Sequence, residues 1–545
     1  MPERLGCGHD LGMAEADYDY VIVGGGTAGC VLASRLTENP DVRVLVLEAG
    51  PHYRGVPIRV PAGVVGLYQR GRYHWPYRSE PEDHAAGQEL PYKMGRILGG
   101  SSAINGMVWV RGNRADYDGW AAAGCKGWSY DDVEPLFRRI ERSEQAGDPT
   151  LGSSGPIAVS QGDAYTSPLN AAFMEAAEQA GYPFNPDYNG PSQDGVCVMQ
   201  RNTGNGERSD VYRGYLKPAL GRPNLTVRCD TTVNRLIVAE GRVTGVSLGP
   251  DGGHETVSPR REVLLCAGAL ASPQLLMLSG VGEADELAAI GIKPIHALPG
   301  VGRNLHTHPI IRLSYSCTQP VSLLPWTQPP RKWLAGLQWL LARKGAAASN
   351  HMDTGLFVRT SPELDRPDGI ITFVPLVLGR AYGDSDIHGF EIYMELVGAK
   401  SRGTVTLRSD DPADLPSFRF NFLEDQRDLD AFREGAKIMR SVIGQPAFDV
   451  LRGKELAPGA EVTSDEDLNA WIRETANVSH HLVGTCRMGS PDDPETVVAP
   501  DLKLVGLEGL RVADASIMPI VPSANTHAAA IMIGEKAADL IRAER

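Results

Sequence analysis

The chain has 545 residues, 42% of them hydrophobic and 22% charged. That is the composition of a globular protein with room for two or more structural units, and it excludes a fibrous or disordered chain. Its 67 acidic and 53 basic side chains leave a formal charge of −14, which argues against nucleic acid and against anionic membrane surfaces as partners. Eight cysteines (Cys7, Cys30, Cys125, Cys197, Cys229, Cys266, Cys317 and Cys486) are scattered without close pairs, the pattern of a reducing compartment. There is no CxxC pair and no HExxH, so no metal site is expected. The first twenty residues, MPERLGCGHDLGMAEADYDY, lack the apolar core of a signal peptide. The most apolar run, Val263 to Val281, is broken by glycines, Pro273 and Gln274, and reads as a buried strand followed by a helix. A cytoplasmic protein without a transmembrane segment is expected.

In chain order, Tyr18 to Val23 is a short β-branched run that predicts a strand, followed by Gly24-Gly25-Gly26-Thr27-Ala28-Gly29, a helical pattern from Cys30 to Leu36 and a second strand, Arg43 to Leu47, ending at Glu48. Residues 161–220 mix one amphipathic helix, Leu169 to Gly181, with turns rich in Gly, Asn and Pro. Short strands return at Leu225 to Arg228, Arg235 to Val238 and Val243 to Leu248, and Glu262 to Cys266 leads into a helix. Residues 311–477 hold Pro-rich loops, the helical segment Arg331 to Arg343, and strand-like runs at Ile370 to Leu376 and Thr404 to Leu407. A strand at Leu510 to Asp514 and a helix from Ala528 to Arg542 close the chain. The alternation fits a nucleotide-binding domain interrupted twice by a second domain.

The spacing Gly24-x-Gly26-x-x-Gly29 is weak evidence alone, but here it joins a strand to a helix. Gly24 allows a tight turn, Gly26 lets a pyrophosphate approach the helix N-terminus, and Gly29 lets helix and strand pack closely. Glu48 ends the next strand 24 residues after Gly24, where an acidic residue would meet an adenosine ribose. The loop points to a dinucleotide and leaves NAD and FAD open.

Two further stretches narrow the choice. Gly95-Arg96-Ile97-Leu98-Gly99-Gly100-Ser101-Ser102-Ala103-Ile104-Asn105-Gly106 is a second glycine-serine segment, and Gly268 to Gly282 (GALASPQLLMLSGVG) is a third signature. With the first loop, and in this order, they resemble the signatures of the glucose–methanol–choline oxidoreductase family, in particular its choline dehydrogenase-like members, from about Asp17 to the C-terminus. The resemblance implies an α/β plus α+β architecture: a Rossmann-like FAD-binding domain from 1–160, 221–310 and 478–545, interleaved with a substrate-binding domain from 161–220 and 311–477 built on an antiparallel sheet. It implies that Gly24, Gly26, Thr27, Ala28, Gly29 and Glu48 hold the ADP half of FAD, and that Gly99, Gly100, Ser102, Asn105 and Gly106 line the flavin side. Val233 would contact adenine through its backbone, Asp514 and Ala515 would reach the pyrophosphate and ribityl chain, and Asn525 and Thr526 would meet the pyrimidine end of the ring. Some members tether the flavin through a histidine in the second signature. Ile104 stands there in this chain, so non-covalent FAD is expected.

Taking hydride from an alcohol carbon requires a base for the hydroxyl proton, and histidine suits that role near neutral pH. By the same resemblance His481, in Ser479-His480-His481-Leu482-Val483-Gly484-Thr485, is the base, and His527 is the partner that holds the alkoxide while hydride leaves to flavin N5. His480 is read as either pocket wall or spacer. His306 and His308 belong to a turn joining the domains and are read as structural, and Cys486 as a buried small hydrophobe. Choline-specific relatives carry a carboxylate just after the His-Pro turn, where this chain has Ile310. That favours a neutral or aromatic primary alcohol, although Trp326, Trp333 and Trp339 offer an aromatic surface. The Arg331 to Arg343 segment places Trp333, Leu337, Leu340 and Leu341 on one side. A core-facing helix is its plainer reading, with a cover over the entrance or a membrane contact as alternatives. The electron acceptor is a quinone, a redox protein or O2. Ser479 occupies a place where a bulky apolar residue helps oxygen react in some relatives, which tilts the expectation toward a dehydrogenase over a peroxide-forming oxidase. From other classes, a hydroxynitrile lyase or a light-driven decarboxylase remains open.

Overall fold

The computed structural model describes residues 18–69, 71–144, 151–163, 167–249, 255–378 and 385–544. The N-terminal segment with Cys7 lies outside them, and the other seven cysteines are free thiols. Strands Tyr20–Val23 and Val44–Leu47 are buried along their whole length, as befits apolar runs in a parallel sheet covered on both faces. They pair in parallel with each other and belong to one parallel sheet with Leu225–Arg228, Glu262–Leu265 and Leu510–Val512. The spatial order begins at Leu225 and runs through Val44, Tyr20 and Glu262 to Leu510. Helix Thr27–Leu36 follows the first strand and packs on the C-terminal helix His527–Ala543. The approach is close: a Cβ on Gly534 would stand 2.9 Å from that of Val31. Arg35 pairs across this contact with the buried Glu535 at 2.8 Å.

A second, antiparallel sheet runs in the order Arg452–Ala457, Pro309–Cys317, Gly389–Leu396, Gly369–Val374, Thr354–Val358, Gly195–Val198, with Asn477–Val478 beside the start of Pro309–Cys317. Side chains of its central strands point alternately to its two faces. Ile371, Phe373, Ile392 and Met394 face helices Pro168–Gln179 and Gln426–Ile443, with Phe173 stacked on Phe373 at 4.9 Å. Thr372, Val374, Tyr393 and Glu395 point the other way, into a cavity. A side-chain period of two makes this assignment unavoidable once one residue is placed.

One expectation is overturned. Helix Arg331–Ala342 exists where the pattern puts it, but its large apolar side chains do not face the core. Leu337, Leu340 and Leu341 are exposed, and Trp333 is 70% exposed. The helix packs instead through the small Ala335 and through Trp339. Trp339 wins the inner position because its indole N–H donates to the Gly206 carbonyl at 2.6 Å.

Candidate active site

A cavity of about 310 Å³ runs from the first glycine loop to the antiparallel sheet. At one end stand Gly26, Thr27 and Ala28, the start of the first helix. That helix has no side-chain cap and no acidic residue in its first turn, so its free N–H groups and dipole face the cavity. A Cβ on Gly26 would meet nothing nearer than 3.9 Å, whereas one on Gly29 would lie 2.0 Å from the Gly24 carbonyl oxygen. Gly29 is therefore glycine for packing, and Gly26 is bare toward open space. An uncapped helix start behind an open glycine face fits the pyrophosphate of a dinucleotide. Glu48 lies behind this loop, not on the cavity wall. Its carboxylate accepts the N–H groups of Gly25 at 2.9 Å and Gly50 at 2.7 Å, and burial pushes its pKa up to about 7. Gly24 and Val233 are also outside the cavity lining.

The second signature folds against the first. Gly99 donates its N–H to the Gly25 carbonyl at 2.7 Å and is left-handed at φ 96°. It does not itself line the cavity, while Gly100, Ser102, Ile104, Asn105 and Gly106 do. Arg208, which sequence reasoning missed, is wholly buried behind this loop and donates to the carbonyl oxygens of Ile58, Ser102 and Asn105 and to Asn105 Oδ1. Asp514 lies on the wall with Ala515, but its carboxylate is engaged by the Gly268 N–H, the Ser272 hydroxyl and the Ser516 N–H, all within 2.8 Å.

His481 stands at the far end. The Asn525 side-chain amide donates to its Nε2 at 3.2 Å, so Nδ1 carries the ring proton. The Ser479 hydroxyl donates to the His308 carbonyl at 2.9 Å and accepts from His481 Nδ1 at 2.9 Å. Burial lowers the His481 pKa to about 4, leaving a neutral imidazole at pH 7 whose Nε2 lone pair is held by Asn525 at the cavity wall. Asn525 thus reaches the histidine, and Thr526 and His527 line the wall beside it. Burial, then the Arg208 charge, hold His527 down to about 3, and its Nε2 has no partner in the protein. Trp109 meets its ring edge-on at 5.9 Å, fixed by an indole N–H bond to Glu141 at 2.8 Å.

His480, in left-handed backbone at φ 65°, lines the cavity between Tyr68 and Tyr92. Ile310 lines it too. The two histidines of the turn separate. His306 is structural, bonded to the Asn304 carbonyl through Nδ1 and to the Val521 N–H through Nε2. His308 Nδ1 instead sits 3.0 Å from His481 Nδ1.

Glu395 was not singled out from the sequence. It lies directly across the sheet from Ile310, with Oε2 3.8 Å from His481 Nδ1 and without a hydrogen-bond partner. Burial lifts its pKa to about 8. The strand sequence GFEIYMEL shows by alternation that Glu391, Tyr393 and Glu395 share a face, but it does not show that this face looks onto the base. His308, Glu395 and His481 bring ligand-capable atoms within 4.8 Å of one another. None of Trp326, Trp333 and Trp339 lines the cavity.

Models of the GMC oxidoreductase family match residues 18–310 and 399–534. The chain is 42% identical over 527 residues to an oxygen-dependent choline dehydrogenase of Sinorhizobium fredii, covering 96% of this chain and 95% of that protein. Among solved structures it is similar to pyridoxine 4-oxidase from Mesorbium loti (TM-score 0.87, 31% identity, 97% of this chain and 100% of that one). It is also similar to a formate oxidase (TM-score 0.91, 28% identity, 98% and 99%).

Proposed function

The chain belongs to the GMC oxidoreductase family and is an FAD-dependent alcohol oxidoreductase; from that premise we propose that it oxidises a primary alcohol to an aldehyde with His481 as the base. The observation that carries this reading is the protonation pattern of His481. Nε2 is an acceptor, held by the Asn525 amide until a substrate hydroxyl takes its place, Nδ1–H is tied to Ser479, and burial keeps the ring neutral. Bound FAD supplies the hydride acceptor. His481 Nε2 takes the hydroxyl proton as the carbon–hydrogen bond is broken. The Asn525 amide and His527 Nε2 lie where they can donate to the oxygen as it gains charge, and the fixed donors lower the barrier without reorganising. The loops at Gly26 and Gly100 to Gly106 would hold FAD, and Ile104 offers no nucleophile for a covalent link, which favours non-covalent binding.

For the substrate, Ile310, Val374, Leu378 and Met352 supply an apolar wall, which supports a neutral or aromatic alcohol. A second reading, a cationic alcohol, is favoured by one observation. A carboxyl absent at Ile310 stands on the facing strand at Glu395, half-buried and with its Oε2 unpartnered, and a relative 42% identical is an oxygen-dependent choline dehydrogenase. For the acceptor we favour a dehydrogenase over an oxidase. The deciding experiment mixes the yellow protein anaerobically with neutral, aromatic and cationic primary alcohols and follows the flavin absorbance. One class should bleach it, and His481→Ala should slow bleaching by about 10²–10⁴-fold with FAD retained. No bleaching by any alcohol would move the reading to a lyase or a decarboxylase. Readmitted air should restore the colour slowly in a dehydrogenase and at once in an oxidase.

A further inference from the structure

The outer face of helix Arg331–Ala342 has no function in the chemistry above. Trp333, Leu334, Leu337, Leu340 and Leu341 are 70%, 54%, 52%, 55% and 79% exposed. At 100° per residue these five positions fall within one stripe about 120° wide. The opposite side of the helix is already satisfied by Ala335 and Trp339, so the exposed stripe is not a failure of packing. The helix is also firmly seated: Trp339 lies under the Arg343 guanidinium at 4.0 Å, and Arg343 and Arg59 both pair with Glu207.

The charge around this face opposes that of the whole molecule. No Asp or Glu occurs from Leu287 to Met352, while Arg331, Lys332, Arg343 and Lys344 bracket the helix. The segment packed beneath it, through Val60 and Ala62, has none from Pro51 to Ser79, and with Arg59 and Arg343 both paired to Glu207 the cations left to this face are Arg331, Lys332 and Lys344. We propose that this helix face docks on an anionic lipid bilayer surface, lying in the interface with its leucines and Trp333 in the acyl boundary and its cations at the headgroups. Among the described residues no helix is long and apolar enough to cross a membrane, so the contact is peripheral. A second copy of the chain fits the face poorly, because a twofold contact would oppose Arg331, Lys332 and Lys344 to their own copies. The net charge of −14 keeps other faces off such a surface and so orients the molecule. The helix Val64–Gln69, which follows Ala62, carries Val64, Val65 and Tyr68 into the cavity wall. Docking therefore sets the cavity one layer of structure from the lipid.

The test uses the full-length, FAD-loaded protein and sedimentation with vesicles of phosphatidylcholine alone or mixed with phosphatidylglycerol. The protein should pellet with the mixed vesicles, weakly with the neutral ones, and be released by high salt. The double variant Leu337→Glu/Leu341→Glu should lose vesicle affinity by about two orders of magnitude while alcohol-driven bleaching is unchanged. Neutralising Arg331, Lys332 and Lys344 to Gln should cost about fivefold per cation on mixed vesicles only. Failure to pellet with the mixed vesicles at low salt overturns the proposal. So does a dimer in solution that the leucine variant dissolves without any vesicle binding, which would assign the face to a second copy.

Discussion

Burial acts in opposite directions on two neighbours in the cavity, taking the His481 imidazole down to about 4 and the Glu395 carboxyl up to about 8. Environments that separate two titrating groups assign them different tasks. A proton arriving on Nε2 makes an imidazolium whose Nδ1 side faces Glu395 at 3.8 Å. Above about pH 8 that neighbour is a carboxylate and stabilises the cation; below it, a neutral acid gives little. The rate of anaerobic bleaching in the wild type should therefore climb through about pH 8. Glu395→Gln should flatten that limb and leave the acid limb near pH 4, which belongs to His481. An alkaline rise that survives in Glu395→Gln would assign it to another group. These are also the residues the sequence hid. His481 and His527 stand in signatures, whereas Glu395, Ser479 and Arg208 act through partners 86 to 171 positions away, and nothing local marks them.

Among elements, the strands and helices of the parallel sheet are legible because apolar runs bounded by glycine leave little choice, whereas of the antiparallel sheet only the strand at Ile370 is, because central strands covered on both faces, such as Thr354–Val358, show no polar alternation. The Arg331 helix was misread for a physical reason. Apolar periodicity names a stripe but not what covers it, and here two apolar stripes compete. Small residues and one hydrogen-bonded indole took the inside. The two glycines of the first loop make a paired prediction at this scale. Gly29→Ala places a methyl 2.0 Å from the Gly24 carbonyl oxygen and should both unseat the flavin and destabilise the fold by about 1–3 kcal/mol or more. Gly26→Ala meets open space, so the apoprotein should melt within a degree or two of wild type while FAD binds more weakly. Flavin content and circular-dichroism melting separate the two. Equal melting losses in both variants would show that Gly26 is also a packing residue.

At the scale of the molecule, five histidines in and beside the cavity share one electrostatic state. His306, His480 and His527 are held to about 3, His481 to about 4, and His308 well below its ordinary value, all first by burial. Their unfolded counterparts titrate near 6.5. The stability their neutrality contributes is fully present above that pH and is lost as pH falls toward the folded values. Each such histidine costs about 1.4 kcal/mol per pH unit across that window. The melting temperature, followed by flavin release, should drop steeply from pH 6.5 to 4.5. A flat profile there would mean that these rings already carry protons when folded.

The parallel sheet has one more consequence. Its strands come from residues near 20, 44, 225, 262 and 510, and the helix that closes over the first glycine loop ends at Ala543. During synthesis Tyr20–Val23 lacks one neighbour until Glu262–Leu265 has emerged, and that strand in turn stays open on one side until Leu510–Val512 arrives. Non-local pairings of this kind form slowly and leave sticky edges exposed in the meantime. A stop codon before His527 would yield not a weakened enzyme but a chain whose first helix has lost the surface it packs on.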